Sequence, residues 1–262
     1  MLKTVKDADL KNKKVLLRCD FNVPMKGKEI SDDFRIASSL PTIKYLLKQN
    51  CKIILICHLG RPEGKVVEDL RVDPIAQRLE ELLGKKIIKT DDCIGPEVEK
   101  VVGDMEPKGI VLLENVRFYK EEEENDSGFA KKLAKLGEIF IMDGFGVAHR
   151  AHASTNGINK YLSSYAGLLL EKEINGLNKV LENRKWPFLL LLGGIKISDK
   201  MGVINNLFHK VTTILISGGI ASTIQKVQGF EVGESIIEEG QEDYIKDLFE
   251  KAEKEDLEVL LP

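Results

Sequence analysis

A marked excess of charge of either sign is missing from this 262-residue sequence: 39 Lys and Arg stand against 42 Asp and Glu, a formal net of −3. That near-balance removes any overall electrostatic case for a nucleic-acid or anionic-membrane partner. Long apolar runs are missing as well. The longest, such as Phe188 to Leu192, fall far short of the ~20 residues that span a bilayer. The first residues, Met1-Leu-Lys-Thr-Val-Lys-Asp7, put charges where a signal peptide needs an apolar core, so a cytoplasmic location is expected. Four cysteines, Cys19, Cys51, Cys57 and Cys93, form no C-x-x-C pair and have no tight Cys/His spacing around them, which excludes a disulfide framework or a zinc ribbon. They read as reduced thiols packed like small hydrophobes. With 43% hydrophobic and 31% charged residues, the composition is that of a globular protein and not a disordered one.

What is present is alternation. Short apolar runs recur at Val15–Leu17, Ile53–Cys57, Ile110–Leu113, Ile139–Met142, Phe188–Leu192, Ile214–Ser217 and Val259–Leu261. Between them lie helical spacings, among them Ile36, Ala37, Leu40, Ile43, Leu46 and Leu47, and later Tyr244, Ile245, Leu248, Phe249 and Ala252. Strand runs alternating with 3.6-residue periods predict βαβ units and parallel sheets. The runs are continuous, as expected of strands covered on both faces. The fold class is therefore α/β.

Leu170, Ile174, Leu177 and Leu181 trace one helical stripe, which Asn183-Arg-Lys-Trp-Pro187 then breaks. This predicts a linking helix and two domains, residues 1–168 and 169–262, with one continuous sheet as the alternative. Only three strand candidates follow residue 185, so the second domain is expected to be incomplete, with an exposed sheet edge at Val259.

The strand ends carry the chemistry. Leu17 leads into Arg18-Cys-Asp20-Phe21-Asn22; Cys57 into His58-Leu59-Gly60-Arg61; Leu113 into Glu114-Asn-Val-Arg117; and Met142 into Asp143-Gly-Phe-Gly-Val-Ala-His149-Arg150-Ala-His152. Asp32-Asp-Phe-Arg35 opens the first long helix. In a parallel sheet these ends share one edge, where Arg35, His58, Arg61, Arg117 and Arg150 can converge on a small polyanion. Each arginine alone reads as a surface ion pair, and Asp20 and Asn22 as turn formers. Repetition at four strand ends is what favours a site. His149 and His152 lack a third metal ligand and read as hydrogen-bonded or anion-binding.

Two phosphate motifs fail. Gly60-Arg-Pro-Glu-Gly64-Lys65-Val66 is one residue short of a P-loop and lacks its Ser or Thr. Gly144-Phe-Gly146-Val-Ala-His149 has histidine where a dinucleotide fingerprint needs its third glycine. In the C-terminal half, Phe188–Leu192 runs into Gly193-Gly194-Ile-Lys196-Ile-Ser198-Asp199-Lys200, where Ser198 or Asp199 can cap a helix and two lysines flank its N-terminus. Ser217-Gly218-Gly219 repeats the glycine turn after the next strand. Either motif alone is also an ordinary strand–helix turn.

Taken together, Arg18 to Pro24, Asp33 to Ile36, His58 to Pro62, Leu113 to Phe118, Asp143 to Ser154 and Gly193 to Lys200 resemble, in order, the motifs of the phosphoglycerate kinase family. The resemblance implies two Rossmann-like domains facing a cleft, with phosphoglycerate on the first and Mg-nucleotide on the second. It implies phosphoryl transfer between 1,3-bisphosphoglycerate and ADP, yielding 3-phosphoglycerate and ATP in glycolysis. By motif, Asp20, Phe21, Asn22, Arg35, His58, Leu59, Gly60, Arg61, Arg117 and Arg150 would bind the phosphoglycerate. Arg35, Lys196 and Lys200 would act on the transferring phosphoryl group. Gly194, Lys196, Lys200 and Gly218 would contact the nucleotide.

Mg-ATP or Mg-ADP would be the co-substrate, held in the family by an aspartate of a portion expected beyond Pro262, so no metal ligand is assigned here. The expected partners are these small molecules alone, with no nucleic acid and no membrane, and the expected state is a monomer. A non-catalytic relative that binds only 3-phosphoglycerate is the alternative.

Overall fold

The structure, a computed structural model, describes residues 2–182 and 186–262. The chain divides into two compact units, Met1–Asn175 and Gly176–Pro262.

The first unit is built on β1 (Lys14–Arg18), a small hairpin of β2 (Met25–Lys26) and β3 (Glu29–Ile30), β4 (Lys52–Ile56), β5 (Ile88–Lys89), β6 (Ile110–Leu112), β7 (Ile139–Met142) and β8 (Ser163–Ala166). Its helices are α1 (Phe34–Lys48), α2 (Asp73–Leu83), α3 (Pro96–Gly103), α4 (Lys120–Glu123), α5 (Ser127–Ala134), α6 (Phe145–Ala148) and α7 (Leu168–Glu182). Six strands form one sheet in the order β5-β6-β4-β1-β7-β8, and every pair in it is parallel. Val15, Leu17, Ile53 and Leu55 pack on one face against Ile36 and Ile43 of α1 and Ile75 and Leu79 of α2. Leu16, Ile54, Val111 and Phe140 pack on the other against Val98 of α3 and Phe129 and Leu133 of α5. Cover on both faces is why these strands read as unbroken apolar runs.

Local signals set the helix ends. Pro74 and Pro96 stand in the first turns of α2 and α3, where a missing N–H costs nothing. Gly84 closes α2 at φ 60°, and Asp126 caps α5 by accepting from Phe129 N at 2.7 Å. The buried stripe of α1 includes Ser39 and Thr42, which an apolar pattern cannot find. Thr42 has a specific partner there: its hydroxyl accepts from Leu168 N, at the start of α7, at 3.0 Å. Strand β8 has no counterpart among the apolar runs of the sequence. It reads Ser-Ser-Tyr-Ala, pairs with β7, and on its other side meets the N-terminal segment through a parallel bridge from Ala166 to Thr4.

The residues of the expected stripe lie in α7, and the division between Asn175 and Gly176 falls inside that helix. Of the expected stripe only Leu170 is buried, while Leu177 and Leu181 are exposed. The expected break at 183–187 has its first three residues outside the described set.

The second unit has three parallel strands, β9 (Leu189–Leu192), β10 (Thr213–Ile216) and β11 (Glu258–Leu260), in the order β11-β10-β9. Its helices are α8 (Met201–Leu207), α9 (Gly219–Val227) and α10 (Glu242–Lys254). Leu192, Ile214 and Ile216 pack on one side with Ile204, Ile220, Ile224, Ile245 and Leu248. Helix α10 carries Glu242 and Asp243 in its first turn and Lys251 and Lys254 in its last, as its dipole favours. Leu189, Leu191 and Leu260, which share one face of the small sheet, are exposed.

Gly167 joins β8 to α7, and a Cβ there would overlap the Asp143 carboxylate. Gly167→Ala is expected to destabilise the first unit by about 1–3 kcal/mol through overpacking. Urea denaturation measures it, and an unchanged midpoint would refute the close fit.

Candidate functional site

Parallel pairing brings the ends of β1, β4, β6 and β7 to one rim, and backbone and side chains stitch the following loops together. Asn22 Oδ1 accepts from Gly60 N at 2.8 Å, while Gly60 O accepts from Arg117 Nη1 at 2.9 Å. Gly60 can thread between them because it sits at φ 64° with Leu70 packed where a side chain would be. Asn115 is fully buried and donates to Leu59 O at 2.8 Å and Leu70 O at 3.0 Å.

Two buried carboxylates stand behind this rim. Glu114 accepts from Val72 N at 3.1 Å and Asn115 N at 2.8 Å, and pairs with Arg71 at 3.0 Å and Lys89 at 2.8 Å. Glu122 accepts from Ser154 N at 2.8 Å and Ser154 Oγ at 2.6 Å. Neither stands out as a site residue in the sequence, where Glu122 is one of four consecutive glutamates, 121–124. Helix α4 turns this one glutamate inward, where it anchors the 150–155 loop.

In front of those carboxylates the rim is cationic. Arg18 and Arg117 are buried, and their charges, with that of Arg150, act together on His58. Burial first, then these three arginines and His152, push the His58 imidazole down to about 2 from its ordinary value. Burial and the neighbouring Arg150 and Arg18 charges also lower Arg117, partly offset by Glu123. Among the described residues, Arg117 Nε and Nη2 and Arg150 Nε are buried without a hydrogen-bond partner. Arg117 Nε does lie 3.2 Å from Glu123 Oε1, close enough to feel its charge but not aligned for a hydrogen bond. Buried guanidinium donors left open are rare, and they suit an anion with several oxygens.

The other expected residues divide into three groups. Arg35 pairs with Asp20 across Gly146, and these three share a concavity of about 200 Å3 with Phe34 and Phe145. Arg61 is exposed. Phe21 and Leu59 are buried in the core, so neither presents a side chain to a ligand.

In the second unit the two glycine turns lie side by side. Ile220 N donates to Gly194 O at 3.1 Å, and a Cβ on Gly218 (φ 68°) would stand 3.1 Å from that same oxygen. Gly218 opens α9, and Lys200 precedes α8. Lys196 is exposed. Ser198 does not cap a helix as expected. Its hydroxyl donates to Glu238 Oε1 and its N–H to Glu238 Oε2, leaving Lys200 at the N-cap of α8.

These motifs, on these strand ends, find their match elsewhere. A family model described as phosphoglycerate kinase fits residues 5–262. The chain belongs to the phosphoglycerate kinase family. The phosphoglycerate kinase of Dictyoglomus turgidum is 52% identical over 258 residues, 98% of this chain and 65% of that protein. That of Moorella thermoacetica is 49% identical over 259 residues, 99% of this chain and 66% of that protein. The structure of phosphoglycerate kinase from Coxiella burnetii matches with a TM-score of 0.88 at 37% identity, over all of this chain and 66% of its own. The one from Pyrococcus horikoshii matches with a TM-score of 0.85 at 29% identity. The chain thus spans about two thirds of the length of the curated relatives it matches.

Asp143, in the family motif after β7, is fully buried and accepts from Leu169 N at 2.9 Å and Leu170 N at 3.4 Å at the start of α7. Burial raises its carboxyl to about 7, against the opposing hydrogen bonds from Thr42, Leu170 and Leu169. Because the folded value is raised, the protonated form is the one the fold favours. Stability relative to a non-ionising side chain is fullest below the unfolded value of 3.8 and is lost as pH rises through about 7. The stability of the native chain minus that of Asp143→Asn should therefore fall between pH 4 and 7 and level off above. Urea titrations across that range measure it, and a flat difference would contradict it.

Proposed function

We propose that this chain serves phosphoryl transfer between 1,3-bisphosphoglycerate and ADP, with its first unit holding the acidic three-carbon substrate. The observation that carries the reading is the set of open, buried guanidinium donors on Arg117 and Arg150 at the parallel sheet's carboxyl rim. A phosphate or carboxylate would complete them, and Asn22, Gly60, Asp20 and Arg35 border the same strand ends. His58, Arg61 and the backbone of Phe21 and Leu59 complete the phosphoglycerate set.

Transfer of this kind needs positioning and positive charge more than covalent help from the protein. The bond from phosphorus to the acyl oxygen breaks, its electron pair leaves with the carboxylate, and an ADP β-phosphate oxygen forms the new bond. Arg35 is suited to spread charge from the equatorial oxygens, as are Lys196 and Lys200. Gly194 and Gly218 let backbone approach the nucleotide closely. The family's nucleotide carries magnesium. Among the described residues no three His, Cys, Asp or Glu are grouped to hold a metal ion, so no step here is assigned to one.

A second reading, 3-phosphoglycerate binding without transfer, draws on the contrast between the two units. The first has interlocked, buried donors, while Lys196 of the second is exposed.

Calorimetry tests both. 3-Phosphoglycerate should bind, and Arg35→Ala, Arg61→Ala and Arg150→Ala should each weaken it about tenfold or more, the worth of a charge-assisted hydrogen bond of ~1.5–3 kcal/mol. Unchanged affinity in all three would defeat the anion site. Mg-ATP binding with turnover in a coupled assay favours transfer, and 3-phosphoglycerate binding alone favours the second reading.

A further inference from the structure

The buried groups behind the rim form a chain in which every proton has one possible direction. Glu122 is completely buried, and as a carboxylate it only accepts. Ser154, also completely buried, must then give its single hydroxyl proton to Glu122 Oε1, at 2.6 Å, while its N–H goes to Oε2 at 2.8 Å. Having donated, Ser154 Oγ can only accept, and it does so from Arg18 Nε at 2.8 Å. Arg18 spends Nη1 on Cys19 O. Its Nη2 lies 3.3 Å from His58 Nδ1. A guanidinium has no acceptor, so His58 Nδ1 must be the accepting nitrogen. The ring proton is thereby placed on Nε2.

We infer that Glu122, acting through Ser154 and Arg18, is a positioning residue that fixes His58 as the neutral tautomer protonated on Nε2. This rests on the reading of the rim as an anion site and deepens it. The site would meet its ligand with cationic arginines and one uncharged N–H donor, rather than with an imidazolium.

The surroundings support the assignment. A proton on Nδ1 would face an Arg18 N–H head-on, and a second positive charge on the ring would add to those already around it. The charged groups that act most on His58 are Arg18 from the end of β1, Arg117 after β6, and Arg150 and His152 from the loop after α6, and each of them disfavours a charge on the ring. Glu122 itself reaches His152 only at 3.9 Å, so its carboxylate is engaged chiefly by Ser154. The arrangement also explains why Arg18 is buried inside a cationic cluster: its orientation is set by acceptors behind it, at Ser154 and Cys19, and not by a ligand in front.

Fixing the tautomer has a chemical consequence. An imidazole that cannot charge holds its hydrogen-bonding role constant across the pH range in which free histidine titrates. Anion recognition then depends on arginines that stay charged throughout.

Long-range 1H–15N NMR of the imidazole, on ligand-free protein with ring-15N histidine, reads the tautomer directly. The expected spectrum shows His58 as Nε2–H only, unchanged between pH 5 and 8. In Ser154→Ala, Arg18 loses its Nε acceptor, and His58 should lose the single-tautomer pattern and show Nδ1–H alongside Nε2–H. Glu122→Gln, which replaces one of the two acceptor oxygens facing Ser154 by an N–H donor with little change of shape, should shift in the same direction. A native His58 protonated on Nδ1, or titrating between pH 5 and 8, overturns the inference without any variant. A native-like His58 spectrum in both variants would overturn the role of Glu122 and Ser154. Because no ligand is present, these outcomes are separate from the calorimetry: the rim can bind 3-phosphoglycerate with the tautomer wrong, or fix the tautomer and bind nothing.

Discussion

Several guanidinium groups held side by side at the carboxyl rim of one parallel sheet are the constraint around which the first unit is arranged. Like charges at short range repel, and burial removes the water that would screen them. Arg18 and Arg117 are nonetheless buried, and Arg117 and Arg150 keep donors open. The fold sustains this by anchoring each group from behind. Ser154 and Cys19 O hold Arg18, Gly60 O holds Arg117, and the backbone of Arg150 accepts from the Thr155 hydroxyl at 2.7 Å. Anchored in this way, the guanidinium charges are held in place ahead of any anion, which is what preorganised charge stabilisation requires.

The carboxylates behind the rim are less visible than the arginines and as important to the design. Glu114 ties the loop before α2 to the loop after β6, and Glu122 ties α4 to the 150–155 loop. Asp143 ties the end of β7 to the start of α7. All three are buried acceptors of backbone N–H groups. They act as joints between connections that have no apolar core of their own. Loops that carry a site must hold its geometry without strand pairing, and a buried carboxylate with several donors does so at few positions.

Much of the fold is legible in the chain. The alternation of apolar runs with helical spacings points to an α/β class and parallel sheets, and each of the seven runs coincides with a strand. What escapes such a reading are elements whose stability is borrowed. Strand β8 lacks an apolar run, and β5 is only two residues long. Ser39 and Thr42 break the expected apolar face of α1; Thr42 is buried there accepting a hydrogen bond from Leu168 N at the start of α7, and Ser39 donates back to Arg35 O. The expected Ser198 cap does not form because Glu238, forty residues later, claims that hydroxyl.

For the site, residue type and position after a strand were enough to name Asp20, Asn22, Arg35, His58, Arg61, Arg117 and Arg150 as candidates, because a parallel sheet sends every such loop to one edge. Sequence also carried family membership, since ordered motifs do not depend on contacts. It could not tell which of those arginines would be buried with open donors and which would be paired or exposed, nor that Glu122 of an acidic run would turn inward. Those distinctions depend on burial and on hydrogen-bond direction. Both are properties of groups brought together from distant parts of the chain, and local pattern holds no record of them.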